Sequence, residues 1–232
     1  MDSALSGVLI IDKPLGLTSM RAVEQVRRSL GGVKAGHAGT LDPLATGVLV
    51  IAVGRATKDI PRLMGMAKRY ETRIDLSATT ATLDTEGERI PSDPMIPAPS
   101  REQVLAALDR FHGTFEQAPP VFSAVKIAGR RAYDLARRGD AVEPAPRPVT
   151  VHQIRMLDYA WPVVTLDIRC AKGFYVRSLA RDLAAALGLR GHCLSIRRTA
   201  VGDYDLTMAM PLKPEPADLA ERIRPAPSAA AT

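Results

Sequence analysis

Residues 34–58 read KAGHAGTLDPLATGVLVIAVGRATK, a loop crowded with Gly36, Gly39, Gly47 and interleaved alanines that runs into an unbroken apolar stretch. Small residues permit tight turns and the close approach of a second backbone. The apolar residues 48–53 (VLVIAV), stopped by Gly54, read as a buried strand. Pro43 removes a donor and pushes Asp42 towards an extended backbone. A carboxylate held in a rigid loop beside a buried strand is where an acid, base or nucleophile is presented. A turn or N-cap aspartate is the commoner use of the same residue, and local physics alone favours it.

The remaining segments set the fold class. Residues 7–13 (GVLIIDK) read as a buried strand ended by Pro14, and Val23, Val26 and Leu30 fall at helical spacing before Gly31-Gly32. Residues 71–76 continue the strand pattern, whereas residues 77–99, rich in Thr, Asp, Ser and Pro, read mainly as loop. Residues 100–112 form the clearest helix: Ser100 and Gln103 make a capping box, Val104, Leu105, Leu108 and Phe111 the apolar stripe, and Gly113 the end. Beyond a Pro-rich link at 144–148, Val164, Leu166, Ile168 and Cys170 alternate as a half-buried strand. A helix follows with Val176, Leu179, Leu183 and Leu187 inward and Gly188 at its end. This mixture, without strict alternation, predicts an α+β fold with a mainly antiparallel mixed sheet flanked by helices and loops. The tail from Pro211, rich in Pro and Ala, is expected to be partly disordered.

The net charge of +6, from 31 Lys and Arg against 25 Asp and Glu, favours a polyanionic partner. Arginine recurs in pairs at 27–28, 130–131, 137–138 and 197–198. Guanidinium forks suit phosphate and stack on bases, so the pairs point to RNA; solvated faces are the plainer reading of each pair alone. No apolar run approaches the length of a membrane span, and the N-terminus lacks a secretory pattern. Cys170 and Cys193 sit in no metal-like spacing. These features predict a cytoplasmic protein without a membrane partner or metal.

GHAGTLDPLATGVL resembles the catalytic motif of the TruB family, the tRNA pseudouridine-55 synthases. GVLIIDKPLGLTS at 7–19 is similar to the family's N-terminal motif, and KRYE at 68–71 to its tyrosine motif. PPVFSAVKIAGRRAYDLARRG at 119–139, KGFYVRSLARDLA at 172–184 and IRRTAVGDY at 196–204 follow in the family order. Six ordered motifs covering the chain to about Tyr204 far exceed chance agreement. The resemblance implies the pseudouridine synthase fold, a catalytic domain over residues 1–210 with an RNA-binding insertion around 77–150, and a tail at 211–232.

It also implies a reaction: isomerisation of a T-loop uridine of tRNA, with the base flipped from its stack and no cofactor, nucleotide or metal. Asp42, the aspartate of GTLDP, is then the nucleophile, with attack at C6 of uracil or at C1′ of the sugar left open. Tyr70 would stack on the uracil and assist proton transfer from C5, and Arg177 would pair with Asp42 to keep it ionised and aimed. Tyr175 would wall the base pocket, and His37 would occupy space around the flipped nucleotide. Lys13 suits a phosphate contact or a structural ion pair equally. Arg181 fits a helix surface or a phosphate contact, and Ser123, Lys126 and the pairs at 130–131 and 137–138 would line the RNA surface.

Two expectations concern departures from the family. A small RNA-binding domain of PUA type commonly follows the catalytic domain, and the residues after Tyr204 leave no room for it, which implies weaker tRNA affinity and recognition mainly of the T-arm. The same shortness speaks against the guide-RNA-dependent branch of the superfamily. A non-catalytic tRNA-binding or folding protein on the same scaffold is the alternative, and intact Asp42, Tyr70 and Arg177 speak against it. A monomer is the expected state.

Overall fold

Apolar side chains uninterrupted until Asp12 make Gly7–Lys13 a strand buried along nearly its whole length. The structure, a computed structural model, describes residues 5–123, 126–127, 130–131, 144–212 and 216–226, of which 126–127, 130–131 and 216–217 by backbone alone. The chain divides into two units, Met1–Arg69 with Arg197–Thr232, and Tyr70–Ile196. The first elements in chain order are β1 (Gly7–Lys13), α1 (Ser19–Ser29), β2 (Ala35–His37), β3 (Ala45–Val53), α2 (Ile60–Gly65) and β4 (Lys68–Asp75). Next come β5 (Ala78–Thr79), β6 (Ile90–Pro91), α3 (Arg101–Leu108), β7 (Gly113–Gln117), β8 (Lys126–Ile127) and β9 (Arg130–Arg131). The last are β10 (Arg147–Ala160), β11 (Val163–Cys170), α4 (Val176–Ala186), β12 (His192–Val201), β13 (Tyr204–Asp205), β14 (Met210–Pro211) and α5 (Pro216–Glu221). Strands β4 and β12 each run across a unit boundary.

In the first unit the strand order is β14-β1-β3-β12, with β2 on β3 and β13 on β12. β1 and β3 pair antiparallel from Gly7↔Val53 to Lys13↔Gly47, and β1 pairs parallel with β14. This register sets Lys13 beside Gly47, near the end of β3 that opens into the Asp42 loop. Val8, Ile10, Val48, Val50, Leu63, Val201 and Tyr204 form the core under the sheet. Residues 216–226 of the tail return to this unit. Val8 and Arg224 exchange backbone hydrogen bonds of 2.8 and 2.9 Å, and Leu219 of α5 is buried. Apolar anchors outweigh the prolines there; residues 227–232 lie outside the described residues.

Gly47 is a fixed point of this unit. Its φ of +99° is left-handed, and a Cβ there would lie 2.2 Å from the Arg198 carbonyl oxygen. Gly47→Ala is therefore expected to cost about 3 kcal/mol in urea unfolding, strain and backbone clash together. Gly16→Ala, at a φ of +79° but with open space around its Cβ, carries strain alone and is expected to cost about 1 kcal/mol.

In the second unit the order is β12-β4-β11-β10-β7, with the β7–β10 and β10–β11 pairs antiparallel. Helix α3 carries the capping box its sequence predicts: the Gln103 amide donates to Ser100 Oγ and the Ser100 amide to Gln103 Oε1. Leu105, however, is exposed, and Ala107 joins Val104, Leu108 and Phe111 in the core. One residue past Val104 is a 100° turn away from the buried face, so Leu105 faces solvent. The Pro-rich link at 144–148 is shorter than expected, since Arg147 and Pro148 already belong to β10. At that point β10 pairs only with β7, so Pro148 lacks no donor towards β11. Among the described residues no helix is long and apolar enough to cross a membrane.

Candidate active site

Asp42 lies between β2 and β3, half-buried, in a loop that follows neither helix nor strand. Such backbone must find its hydrogen bonds elsewhere. Ser19, the first residue of α1, is buried; its Oγ accepts from the Leu41 amide at 2.8 Å and donates to the Leu41 carbonyl at 3.0 Å. The Gly16 amide donates to the Pro43 carbonyl at 2.8 Å, and the Ala45 amide to the Asp42 carbonyl at 3.0 Å. Arg198, on β12, is 1% exposed. Its Nε donates to Val48 O (2.7 Å), Nη1 to Thr40 O (3.3 Å) and Nη2 to Gly39 O (3.1 Å).

Lys13 has no exposed surface, and its Nζ donates to the carbonyls of Pro14 (2.9 Å) and Leu17 (2.7 Å). Two backbone carbonyls therefore hold the ammonium where it has no surface to offer a phosphate. Burial lowers the Lys13 pKa to about 8, against the opposing pull of the Asp42 carboxylate and with help from the Arg198 cation. The folded chain therefore releases this proton while the unfolded chain, with an ordinary lysine near 10.4, still holds it. The unfolded state then binds more protons, so stability rises with pH across that window. Urea unfolding at pH 7.5 and 9.5 is expected to show a gain of about 2 kcal/mol that Lys13→Met lacks.

His37, the last residue of β2, has its Nδ1 buried without a hydrogen-bond partner among the described residues. Burial first, and the Arg198 cation second, hold its pKa below the usual histidine value, so the ring is neutral at pH 7. In this unit Lys13 therefore feels both the Asp42 carboxylate and the Arg198 cation, and His37 feels Arg198. Beside it, Arg197 forms an ion pair with Asp12 at 2.8 Å and donates to Thr46 Oγ1 at 3.3 Å.

The second unit places Tyr175 and Arg177 at the start of α4, and Tyr70, half-buried, on β4. Gln117, almost fully buried, accepts from the Tyr175 amide at 2.9 Å and donates to its carbonyl at 3.2 Å. The Arg147 guanidinium stands 5.4 Å from the centre of the Tyr175 ring, a cation–π distance. Arg177 is buried; Nη1 donates to Thr82 O (2.8 Å), Nη2 to Phe122 O (2.9 Å), and Nη1 lies 3.6 Å from Asp84 Oδ2. Arg181 is engaged by Asp182 at 2.7 Å and by the Ala118 carbonyl at 3.0 Å. Ser123 is buried with its Oγ unpartnered among the described residues. The side chains of Lys126, Arg130 and Arg131, and Arg137 and Arg138 altogether, lie outside the described residues.

Ser19, Gln117 and Asp84 are not among the residues that the sequence singles out, and Arg198 enters there only as half of the pair 197–198. Arg198 carries the plainest correction: its pair with Arg197 reads as an RNA-facing or solvated surface, yet one member points into the protein. Alternation along a strand is the signal, since neighbours on β12 face opposite ways.

The profile of the TruB family pseudouridylate synthase N-terminal domain matches residues 27–176. The chain is 49% identical over 211 residues to tRNA pseudouridine synthase B of Caulobacter vibrioides, covering 90% of this chain and 67% of that protein. With the protein of the same name from Ruegeria pomeroyi the identity is 51%, covering 87% and 66%; with that from Rhodopseudomonas palustris it is 45%, covering 89% and 56%. The chain thus spans 56–67% of the length of these curated relatives. Among solved structures, a chain of a Cbf5–Nop10–Gar1 complex superposes with a TM-score of 0.69 at 28% identity, covering 89% of this chain and 52% of that one. A chain of an H/ACA RNP bound to a substrate RNA containing 2′-deoxyuridine gives 0.65 at 25% identity, covering 89% and 51%. The α+β pseudouridine synthase fold expected from the sequence is the fold of this chain. On the profile match and the level of identity together, the chain belongs to the TruB family of pseudouridylate synthases.

Proposed function

We propose that this chain isomerises uridine to pseudouridine in tRNA, at the T-loop uridine of position 55, with Asp42 as the nucleophile. The observation that carries the reading is the presentation of Asp42: a half-buried carboxylate on a loop fixed at each neighbouring residue, beside the buried cation of Lys13. Identity supports tRNA as the substrate, since the chain stands at 49% to a tRNA pseudouridine synthase and at 28% to the Cbf5 complex chain.

The reaction breaks the N1–C1′ bond, turns the uracil and joins C5 to C1′; C5 loses its proton and N1 gains one. Asp42 holds one fragment by bonding to C6 of uracil or to C1′ of the sugar while the base turns. Tyr70 stacks on the base and assists the C5 proton, Arg177 keeps the nucleophile ionised, and Tyr175 walls the pocket. His37 occupies space around the flipped nucleotide, while Arg181 and Lys126 meet the RNA backbone. Extrusion of the base costs a few kcal/mol, offset by stacking and phosphate contacts. On this reading residues 1–210 act as the catalytic domain, with an RNA-binding insertion around 77–150, in a monomer. The two free, buried cysteines suit a reducing cytoplasm.

The test is tritium release from a tRNA transcript carrying tritium at uridine C5. Release that disappears when the T-loop uridine is replaced supports substrate and position together. Tight tRNA binding without release overturns the enzymatic reading in favour of a tRNA-folding scaffold.

A further inference from the structure

Five consecutive backbone carbonyls, from Gly39 to Pro43, each accept a hydrogen bond, although the loop belongs to no regular element. Two come from backbone amides, Ala45 to Asp42 and Gly16 to Pro43. The other three depend on two buried side chains: Arg198 serves Gly39 and Thr40, and Ser19 serves Leu41. Ser19 also takes the Leu41 amide, and Arg198 spends its Nε on Val48 O, tying the loop to β3. Desolvating a guanidinium this completely is costly, so its location needs a return. Its planar fork reaches three carbonyls at once, which an ammonium on a flexible stem cannot reproduce.

We infer that Arg198 and Ser19 form a clamp that fixes the position of Asp42, making them positioning residues for the isomerisation. The inference rests on Asp42 as the nucleophile. Arg198 does not act by charge alone: Lys13 already supplies a buried cation beside Asp42. What Arg198 adds is geometry. A nucleophile displaced by about 1 Å loses on the order of 100-fold in rate, without any need for the substrate to bind less well.

The experiment compares wild type, Arg198→Lys, Arg198→Met and Ser19→Ala. Single-turnover tritium release is measured at saturating enzyme, tRNA binding by filter retention, and amide hydrogen exchange across residues 38–45 and 48–53. Arg198→Lys is expected to lose about 100-fold in single-turnover rate, with tRNA Kd within about threefold of wild type. Ser19→Ala, which leaves the Leu41 amide and carbonyl without their partner, is expected to lose about 10-fold. In both, exchange accelerates at 39–43 while β3 keeps its protection. Unchanged exchange overturns the clamp, and so does faster exchange with an unaltered rate. A loss that tracks only the folded fraction, or that appears only as weaker tRNA binding, also overturns it. Should the Arg198 variants fail to fold, Ser19→Ala decides by the same criteria. A wild type that releases no tritium refutes the proposed function, while the exchange measurements still decide whether the clamp holds the loop.

Discussion

Asp42→Asn is expected to abolish tritium release from C5-labelled tRNA, with a rate at least about 10⁴-fold below wild type, the scale on which other enzymes miss a nucleophile. The substitution is nearly isosteric and the loop is held by backbone groups and by Ser19 and Arg198, so the fold has no reason to change. An amide in place of the carboxylate cannot form the covalent bond that holds one fragment while the base turns. Transfer RNA binding is expected to stay within about threefold, because affinity comes from phosphate and stacking contacts away from this atom. A secondary effect follows from electrostatics. The carboxylate opposes the lowering of the Lys13 pKa, so its removal moves that pKa further below about 8. The stability gain with pH then begins at lower pH in Asp42→Asn than in wild type. Retention of activity within 10-fold of wild type would refute Asp42 as the nucleophile.

Much of this arrangement is legible in the chain itself, and the exceptions have physical causes. Segments with one plain signal, the unbroken apolar run of β1, the capping box of α3 and the helical spacing of α4, announce themselves. β10, the longest strand, does not. Register shifts between Val151 and Gln153 and between Met156 and Asp158 break its alternation, and Arg155 and Asp158 look like loop residues. β12 hides for another reason, because the strand buries Arg198 where an apolar residue is the norm. Among the residues proposed to act on the substrate, Asp42, Tyr70 and Arg177 are visible because each stands in a short motif. Their supports are not. Ser19 looks like the start of a helix and Asp84 like a loop acid, and only the folded backbone reveals which carbonyl or guanidinium each one meets. Local sequence carries the motif residues, whereas the partners that hold them and their loops come from distant segments and leave no short-range trace.

Arg177→Met is expected to lower the stability of the chain by about 3–5 kcal/mol, the usual cost of removing one partner from a buried ion pair. Both side chains of the Arg177–Asp84 pair are only 5% exposed, so solvent does little to relieve the abandoned carboxylate. At 3.6 Å the ion pair is long, and the larger share of the loss comes from neighbouring groups. The carbonyls of Thr82 and Phe122 lose donors at 2.8 and 2.9 Å. Asp84 keeps its Glu86 amide at 2.9 Å and its Thr82 hydroxyl, which hold the carboxylate in place without neutralising it. For a chain of this length the loss corresponds to a fall in Tm of roughly 10 °C. The test is a double-mutant cycle by thermal or urea unfolding. If the abandoned charge drives the loss, Asp84→Asn in the Arg177→Met background recovers at least about 1 kcal/mol, although Asp84→Asn alone destabilises wild type. Strict additivity would sink this account and leave the two carbonyl contacts as the reason the arginine is buried. On the proposed role of Arg177 in aiming the nucleophile, pseudouridine formation by Arg177→Met, assayed below its Tm, is expected to fall through kcat.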